Sequence, residues 1–176
     1  MKRKTAREIL ADSFRELAET RSVDKITVRD ITDNCGYSTA TFYRQFKDKY
    51  DLIAWQYAQR IGVDGCRWEQ VLPDAAAWIN TDREYLANLL LHTSGHDSFI
   101  RYMAEINCEV LKKHILRVTG LESLDRETDM YVRTYCLGTA SLTSEWILGR
   151  YSVGPEELAA VYKNALPPPL HAYLLS

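Results

Sequence analysis

At 176 residues and 46% hydrophobic, the chain has room for one domain or two small ones around a sizeable core, with an ordinary soluble composition. No apolar run approaches a membrane span, and Met1 is followed by Lys2, Arg3 and Lys4 instead of a signal-peptide core; the expectation is a cytoplasmic protein with no membrane partner. The formal charge of -2 argues by itself against a nucleic-acid binder, but residues 1–60 carry twelve Lys/Arg against nine Asp/Glu, and the remainder ten against fifteen, so positive charge gathers at the N-terminal end.

Lys2, Arg3 and Lys4 make a short basic arm, suited to phosphates or the minor groove and equally to simple solvation. A first helix is expected from about Thr5 to Glu19, burying Ile9, Leu10, Phe14, Leu17 and Ala18 at helical spacing. Thr27 is a good N-cap with Asp30 three residues later, so a second helix begins there and turns Val28 and Ile31 inward. Gly36 stops it, because glycine takes the left-handed backbone without steric cost, and Ser38 caps another helix two residues later. Two helices so closely joined cross at a large angle, the geometry of a helix-turn-helix. On the later helix Phe42 and Phe46 face the core. Thr39, Ala40, Thr41, Tyr43 and Arg44 cover the flank and outer face, which offers a guanidinium, hydroxyls, a methyl and a phenol, with no acidic residue. The same geometry also occurs in helical domains that never meet DNA.

The runs Thr27-Val28-Arg29-Asp30-Ile31, Cys35-Gly36-Tyr37-Ser38 and Thr41-Phe42-Tyr43-Arg44-Gln45-Phe46-Lys47-Asp48-Lys49-Tyr50-Asp51-Leu52 closely resemble the DNA-binding domain of TetR/AcrR-type regulators. The resemblance covers about the first third of the chain. Gln45 stands where many relatives carry histidine, and Tyr50 where many carry glutamate. It implies an all-α fold: a three-helix DNA-binding domain over residues 1–50, joined by a linking helix to a helical effector-binding and dimerisation domain over residues 51–176. Arg44, Thr39 and Ala40 are expected to read sequence, and Thr27, Arg29, Ser38, Thr41, Tyr43 and Lys49 to contact the DNA backbone. Lys49, at a helix N-terminus that already favours anions, is the expected phosphate clamp.

Asp48 begins the linking helix, with Asp51 placed to complete a capping box, and Gly62 to Gly65 end it. Further helices are expected over residues 66–81 with a break at Pro73, then 82–93, 97–119, 125–150 and 155–166, where Pro155 is suited to a first helical position. Pro167, Pro168 and Pro169 stop the last of these, and Leu170, Tyr173 and Leu174 dock one more turn. Over 97–119, Asn107 and His114 interrupt an apolar stripe of Ile100, Met103, Val110 and Leu111. They are either core residues satisfied locally or polar groups aimed into a ligand cavity, and Tyr102 and Tyr135 are open to the same two readings.

Gly138, within the helix over 125–150, costs about 1 kcal/mol relative to alanine and therefore points to close packing. The family resemblance implies that the last two long helices of each subunit form a four-helix dimer interface, here through Gly138, Leu142, Trp146, Leu158, Val161, Tyr162 and Ala165. Tyr135, Gly138 and Trp146 further resemble the subgroup that includes regulators of dihydroxyacetone kinase operons.

His92 and His96 are four apart, but Ser94-Gly95 interrupts the helix that would pair them and no further ligand is apparent, so no metal is expected. Cys35, Cys66, Cys108 and Cys136 form no Cys-x-x-Cys pair and read as reduced, buried thiols. No nucleophile motif, phosphate loop or metal cluster suggests an enzyme, and no cofactor is expected. The leading expectation is a homodimeric repressor that binds a palindromic double-stranded DNA operator and responds to a small-molecule effector of unknown identity. The alternative is a coactivator of the same fold whose protein partner senses the ligand.

Overall fold

The computed structural model describes residues 4–61 and 68–174. Lys2 and Arg3 of the basic arm, the expected helix end at Gly62 to Gly65, and Cys66 lie outside the described residues. All regular structure among the described residues is helical: α1 Ala6–Ala18, α2 Val28–Cys35, α3 Thr39–Gln45, α4 Lys49–Ile61, α5 Trp68–Thr81, α6 Arg83–Leu91, α7 Phe99–Thr119, α8 Arg126–Ile147, α9 Pro155–Asn164 and α10 His171–Leu174, with short 3-10 turns between some of them. None is long and apolar enough to cross a membrane.

Local chemistry sets the helix starts. Thr5 and Glu8 close a capping box on α1, and Thr27 and Asp30 close another on α2. Ser38 Oγ accepts from the Thr41 amide to cap α3, and Asp125 caps α8 through the Thr128 amide. Asp48 caps α4 by accepting from the amides of Tyr50 and Asp51, while Asp51 reaches back to the Lys47 amide. Between α2 and α3, Gly36 adopts φ 74°, where a Cβ would be strained, and the Tyr37 amide bonds back to the Thr32 carbonyl.

One expectation fails at Pro73, which lies inside a continuous α5 and does not break it. The proline ring is exposed, and proline forfeits a single backbone bond to the turn before it. The Ala75-Ala76-Ala77 run that follows is the best available helix former, and Ala76 and Ile79 are buried.

Leu10, Phe14, Ile26, Ile31, Phe42, Phe46, Leu52 and Ile53 make the N-terminal core, and it continues without a gap through Tyr57, Ile79, Leu86, Phe99 and Met103 into the body. A second cluster, around Leu111, Ile115, Val132, Cys136 and Leu170, fills the far end, where α10 docks as expected. Polar contacts bind the N-terminal helices to α6: the Asn88 amide donates to the carbonyls of Ala18 and Arg21 and accepts from the Val23 amide. Arg15 of α1 forms a two-pronged ion pair with Asp82, at 2.7 and 3.0 Å, and Trp78 Nε1 donates to the same carboxylate.

The Thr27 hydroxyl and amide, and then Arg21, hold the Asp30 carboxyl down to about 2. Because the folded value lies below that of an unfolded Asp, about 3.9, the stabilisation is present in full above about pH 4 and is lost as pH falls through about 2. In an NMR titration the Asp30 carboxyl is expected to titrate near pH 2, and the stability advantage of wild type over Asp30→Asn to disappear between pH 4 and 2; a midpoint near 4 would contradict the capping account.

Candidate DNA-binding surface and effector cavity

Helix α3 has one buried side, on Phe42, and Phe46 follows at its C-cap, their rings 5.7 Å apart. The opposite side carries Thr39, Ala40, Tyr43 and Arg44, all exposed, with Tyr43 59% accessible and edge-on to Phe42. Arg44 Nη2 donates to Thr41 Oγ1 at 3.0 Å, which lays the guanidinium along the helix and leaves other N–H groups to solvent. Ser38 and Thr41 are joined by their hydroxyls at 3.0 Å. Thr27 stands exposed at the start of α2, its hydroxyl held by Asp30, and Arg29 lies alongside with a loose 3.5 Å contact to Asp33. The expected contact residues of α2 and α3 are thus exposed, apart from the half-buried Thr41, and the Arg44 guanidinium keeps unpaired donors.

Lys49 is different. Its ammonium donates to the carbonyls of Val23, Asp24 and Ile26 at 2.8 to 3.1 Å and sits over the Tyr50 ring. An ammonium has three N–H groups, and all three are taken, so the expectation of a phosphate clamp is corrected: Lys49 ties the chain between α1 and α2 to the start of α4. Burial pushes its pKa below that of an ordinary lysine, with Asp24 opposing. Lys47, next to the end of α3 and exposed, has no side-chain partner among the described residues and is the better placed cation. The sequence held that signal in the lysines flanking Asp48, but which one was free depended on the distant carbonyls.

In the body, Tyr57, Ile61, Val71, Ala76, Ile79, Asn107, Val110, Tyr135, Thr139, Thr143, Leu158 and Tyr162 surround a cavity of about 60 Å³. Asn107 and Tyr135 therefore meet at one site, as the ligand reading requires. Tyr102 and His114 do not. The Tyr102 hydroxyl donates to Asp97 at 3.1 Å near the start of α7, and His114 is buried beside Arg117, 3.1 Å from its Nδ1. Burial, and then Arg117, lower the His114 pKa, favouring the neutral ring. Both take the locally satisfied alternative, and both are withdrawn as cavity residues. Tyr57 is a cavity residue that sequence reading missed; its hydroxyl donates to Asn107 Oδ1 at 3.1 Å, and its ring packs edge-on to Phe99. Its helical spacing from Ile53 and Ile61 marked it only as core.

The expected dimer residues also divide. Gly138, Leu142, Val161 and Ala165 line an open groove between α8 and α9 with Thr134 and Pro167, and no atom outside the local helix approaches the place of a Gly138 Cβ within 4 Å. Trp146, Leu158 and Tyr162 are buried inside the subunit: Trp146 donates to the Val153 carbonyl, and Tyr162 shares a 2.6 Å hydrogen bond with Thr143. Trp146 and Leu158 are corrected to core residues, because their neighbours lie on other parts of the same chain, whereas Tyr162, though buried, also lines the groove. His92 and His96 point to separate partners, Asp24 and Arg101, and no cluster of metal-ligating residues occurs among the described residues.

Residues 10–54 match the family model for bacterial regulatory proteins of the tetR family. No curated protein matches the sequence. Among solved structures, the dihydroxyacetone kinase operon activator DhaS is similar with a TM-score of 0.66 at 17% identity, over 96% of this chain and 98% of that one. A TetR transcriptional regulator from Rhodococcus sp. RHA1 is similar with a TM-score of 0.65 at 17% identity over 96% and 98%. The TetR family repressor AlkX from Dietzia sp., implicated in biodegradation of n-alkanes, gives 0.57 at 18% over 99% and 100%. At these identities the solved structures establish the fold.

Lys49→Ala is expected to destabilise the N-terminal helices by about 1–2 kcal/mol in urea unfolding, by leaving three carbonyls without their charged donor. Lys47→Ala is expected to leave stability within about 0.5 kcal/mol while reducing the salt dependence of DNA binding. Unchanged stability for Lys49→Ala would restore it as a phosphate contact.

Proposed function

We propose, for a chain that carries the N-terminal domain of the tetR family on the fold of TetR regulators, a ligand-responsive transcriptional regulator that binds a palindromic operator as a homodimer, with repression as its default mode. The observation that carries the reading is the exposed α2–α3 face, with Arg44, Thr39 and Ala40 on the outer side of α3 and no acidic residue on that helix. Arg44 reads a base edge, a bidentate match to guanine. Thr27, Arg29, Ser38, Thr41 and Tyr43 position the domain through phosphates, with Lys47 in place of Lys49. The DNA-binding domain comprises residues 1–50, and residues 51–176 serve effector binding and dimerisation. Asn107, Tyr135 and Tyr57 belong to the effector site.

The α8–α9 groove supports the homodimer. A mid-helix glycine that costs stability and packs against nothing in its own subunit, flanked by exposed Val161 and half-buried Leu142, is suited to a second copy of the same helix pair. A two-fold axis there would present two α3 helices to successive major grooves, about 34 Å apart. A solved activator and a solved repressor share this fold, so the fold does not itself set the direction of regulation. The reading involves binding and conformational change without catalysis.

Selection from random duplex DNA with the purified protein is expected to recover a palindrome. Arg44→Ala should weaken binding to it by about 1–3 kcal/mol, with a smaller loss on random DNA. Equal losses on both would remove Arg44 from sequence reading. Failure to enrich any sequence, with a dimer confirmed, would favour the partner-dependent coactivator. Val161→Glu, on a side chain 45% exposed in the subunit, is expected to fold and to sediment as a monomer; a dimer that persists would move the interface elsewhere.

A further inference from the structure

The described walls of the cavity contain no Asp, Glu, Lys, Arg or His. A charged ligand there would surrender its hydration with no opposite charge to replace it. Most of the polar wall is already committed. The Tyr135 hydroxyl donates to the Tyr162 carbonyl, the Tyr162 hydroxyl is shared with Thr143 and lies 3.2 Å from the Thr139 carbonyl, and the Thr139 hydroxyl donates to the Tyr135 carbonyl. Tyr57 occupies Asn107 Oδ1. What remains is Asn107 Nδ2, an amide donor with no hydrogen bond among the described residues. The free space, about 60 Å³, is several times the 10–15 Å³ that a single water needs and so suits only a compact occupant.

Resting on the reading of this cavity as the effector site, we infer that the effector is a compact uncharged molecule whose carbonyl or hydroxyl oxygen accepts from Asn107 Nδ2 while its carbon skeleton lies against Ile79, Val110 and Leu158. Such a ligand engages the same amide that holds Tyr57 of α4, so it bears on the helix that continues into the DNA-binding unit. The chemical class follows from the described lining: an acceptor satisfies the Asn107 donor, and neutrality avoids a charge unpaired among the described walls.

Acetamide, acetate and acetamidinium have the same four-heavy-atom shape and differ in charge, and propane-1,2-diol serves as a second neutral probe. Each is titrated into the full-length protein while the side-chain amide of Asn107 and the backbone amides of Ala76 and Tyr57 are followed by NMR. The neutral probes are expected to shift these resonances saturably, at least tenfold more tightly than either ion. In Asn107→Leu, with an unchanged melting temperature, those backbone shifts should be lost. Asn107→Asp, which places an anion at the same position, should reverse the preference toward acetamidinium. An ion that binds wild type as tightly as acetamide would overturn the neutral class while leaving the effector site in place. No saturable shift with any probe would overturn both.

Discussion

A helix is stiff along its axis because every backbone amide is bonded to the carbonyl one turn before it, and α4 uses that stiffness across two environments. Its first turns belong to the N-terminal core: Leu52 and Ile53 are fully buried there, and Trp55 packs edge-on to Phe46 at 5.8 Å. Its later turns wall the cavity through Tyr57 and Ile61. No loop separates the two parts, so a displacement at Tyr57 cannot be absorbed locally; it must appear as tilt of the helix start, where Lys49 is tied to three carbonyls just before α2. The position of the α2–α3 face is thereby linked to the contents of the body.

The connection between the N-terminal helices and α6 has a different character. Apolar packing there is supplemented by directional contacts, the Asn88 amide on the end of α1 and the Arg15–Asp82–Trp78 group. Hydrogen bonds of this kind hold one geometry well and lose their strength over a few tenths of an ångström, so the joint favours discrete arrangements over continuous sliding. Trp78 and Asp82 lie two and six residues after Ala76 on or just beyond α5, with Ile79 between them, and Ala76 and Ile79 line the cavity. The cavity is therefore flanked by two elements, α4 and α5, that each reach the N-terminal helices.

What the sequence revealed and what it hid separate along the length scale of the interactions. The caps at Thr27 and Ser38, the left-handed turn at Gly36 and the proline at the start of α9 are decided within four residues, and they were legible as such. The exposed side of α3 was legible for the same reason, since a seven-residue helix with Phe42 turned inward and Phe46 at its C-cap leaves only one outer side. Lys49 was misread because its three acceptors lie 23 to 26 residues earlier, and a lysine at a helix start looks the same whether its donors are free or spent. Trp146 fits an apolar stripe as well on an interface as in a core, and only the packing of Val153 and Arg83 against it decides for the core. Asn107 and His114 posed one question and part company in the fold: the histidine is held beside Arg117, whereas Tyr57 occupies only Oδ1 of the asparagine, which lines the cavity.

The α8–α9 wall joins cavity and subunit surface more closely than either feature suggests alone. Tyr135, Thr139 and Tyr162 line the cavity on one side and the outer groove on the other, so the wall between a ligand and a second subunit would be one side chain thick. Their mutual hydrogen bonds, Tyr135 to the Tyr162 carbonyl and Tyr162 to Thr139 and Thr143, make the wall a connected unit. Burial raises the pKa of the Tyr162 hydroxyl to about 12, which keeps it neutral and a donor across physiological pH. A neutral, mutually satisfied wall resists local collapse and transmits pressure as a body. In the proposed dimer, a ligand acting on this wall and on α4 together would alter both the seating of the subunits and the tilt of the reading heads, and operator affinity changes only to the extent that the ligand favours one such arrangement over the other.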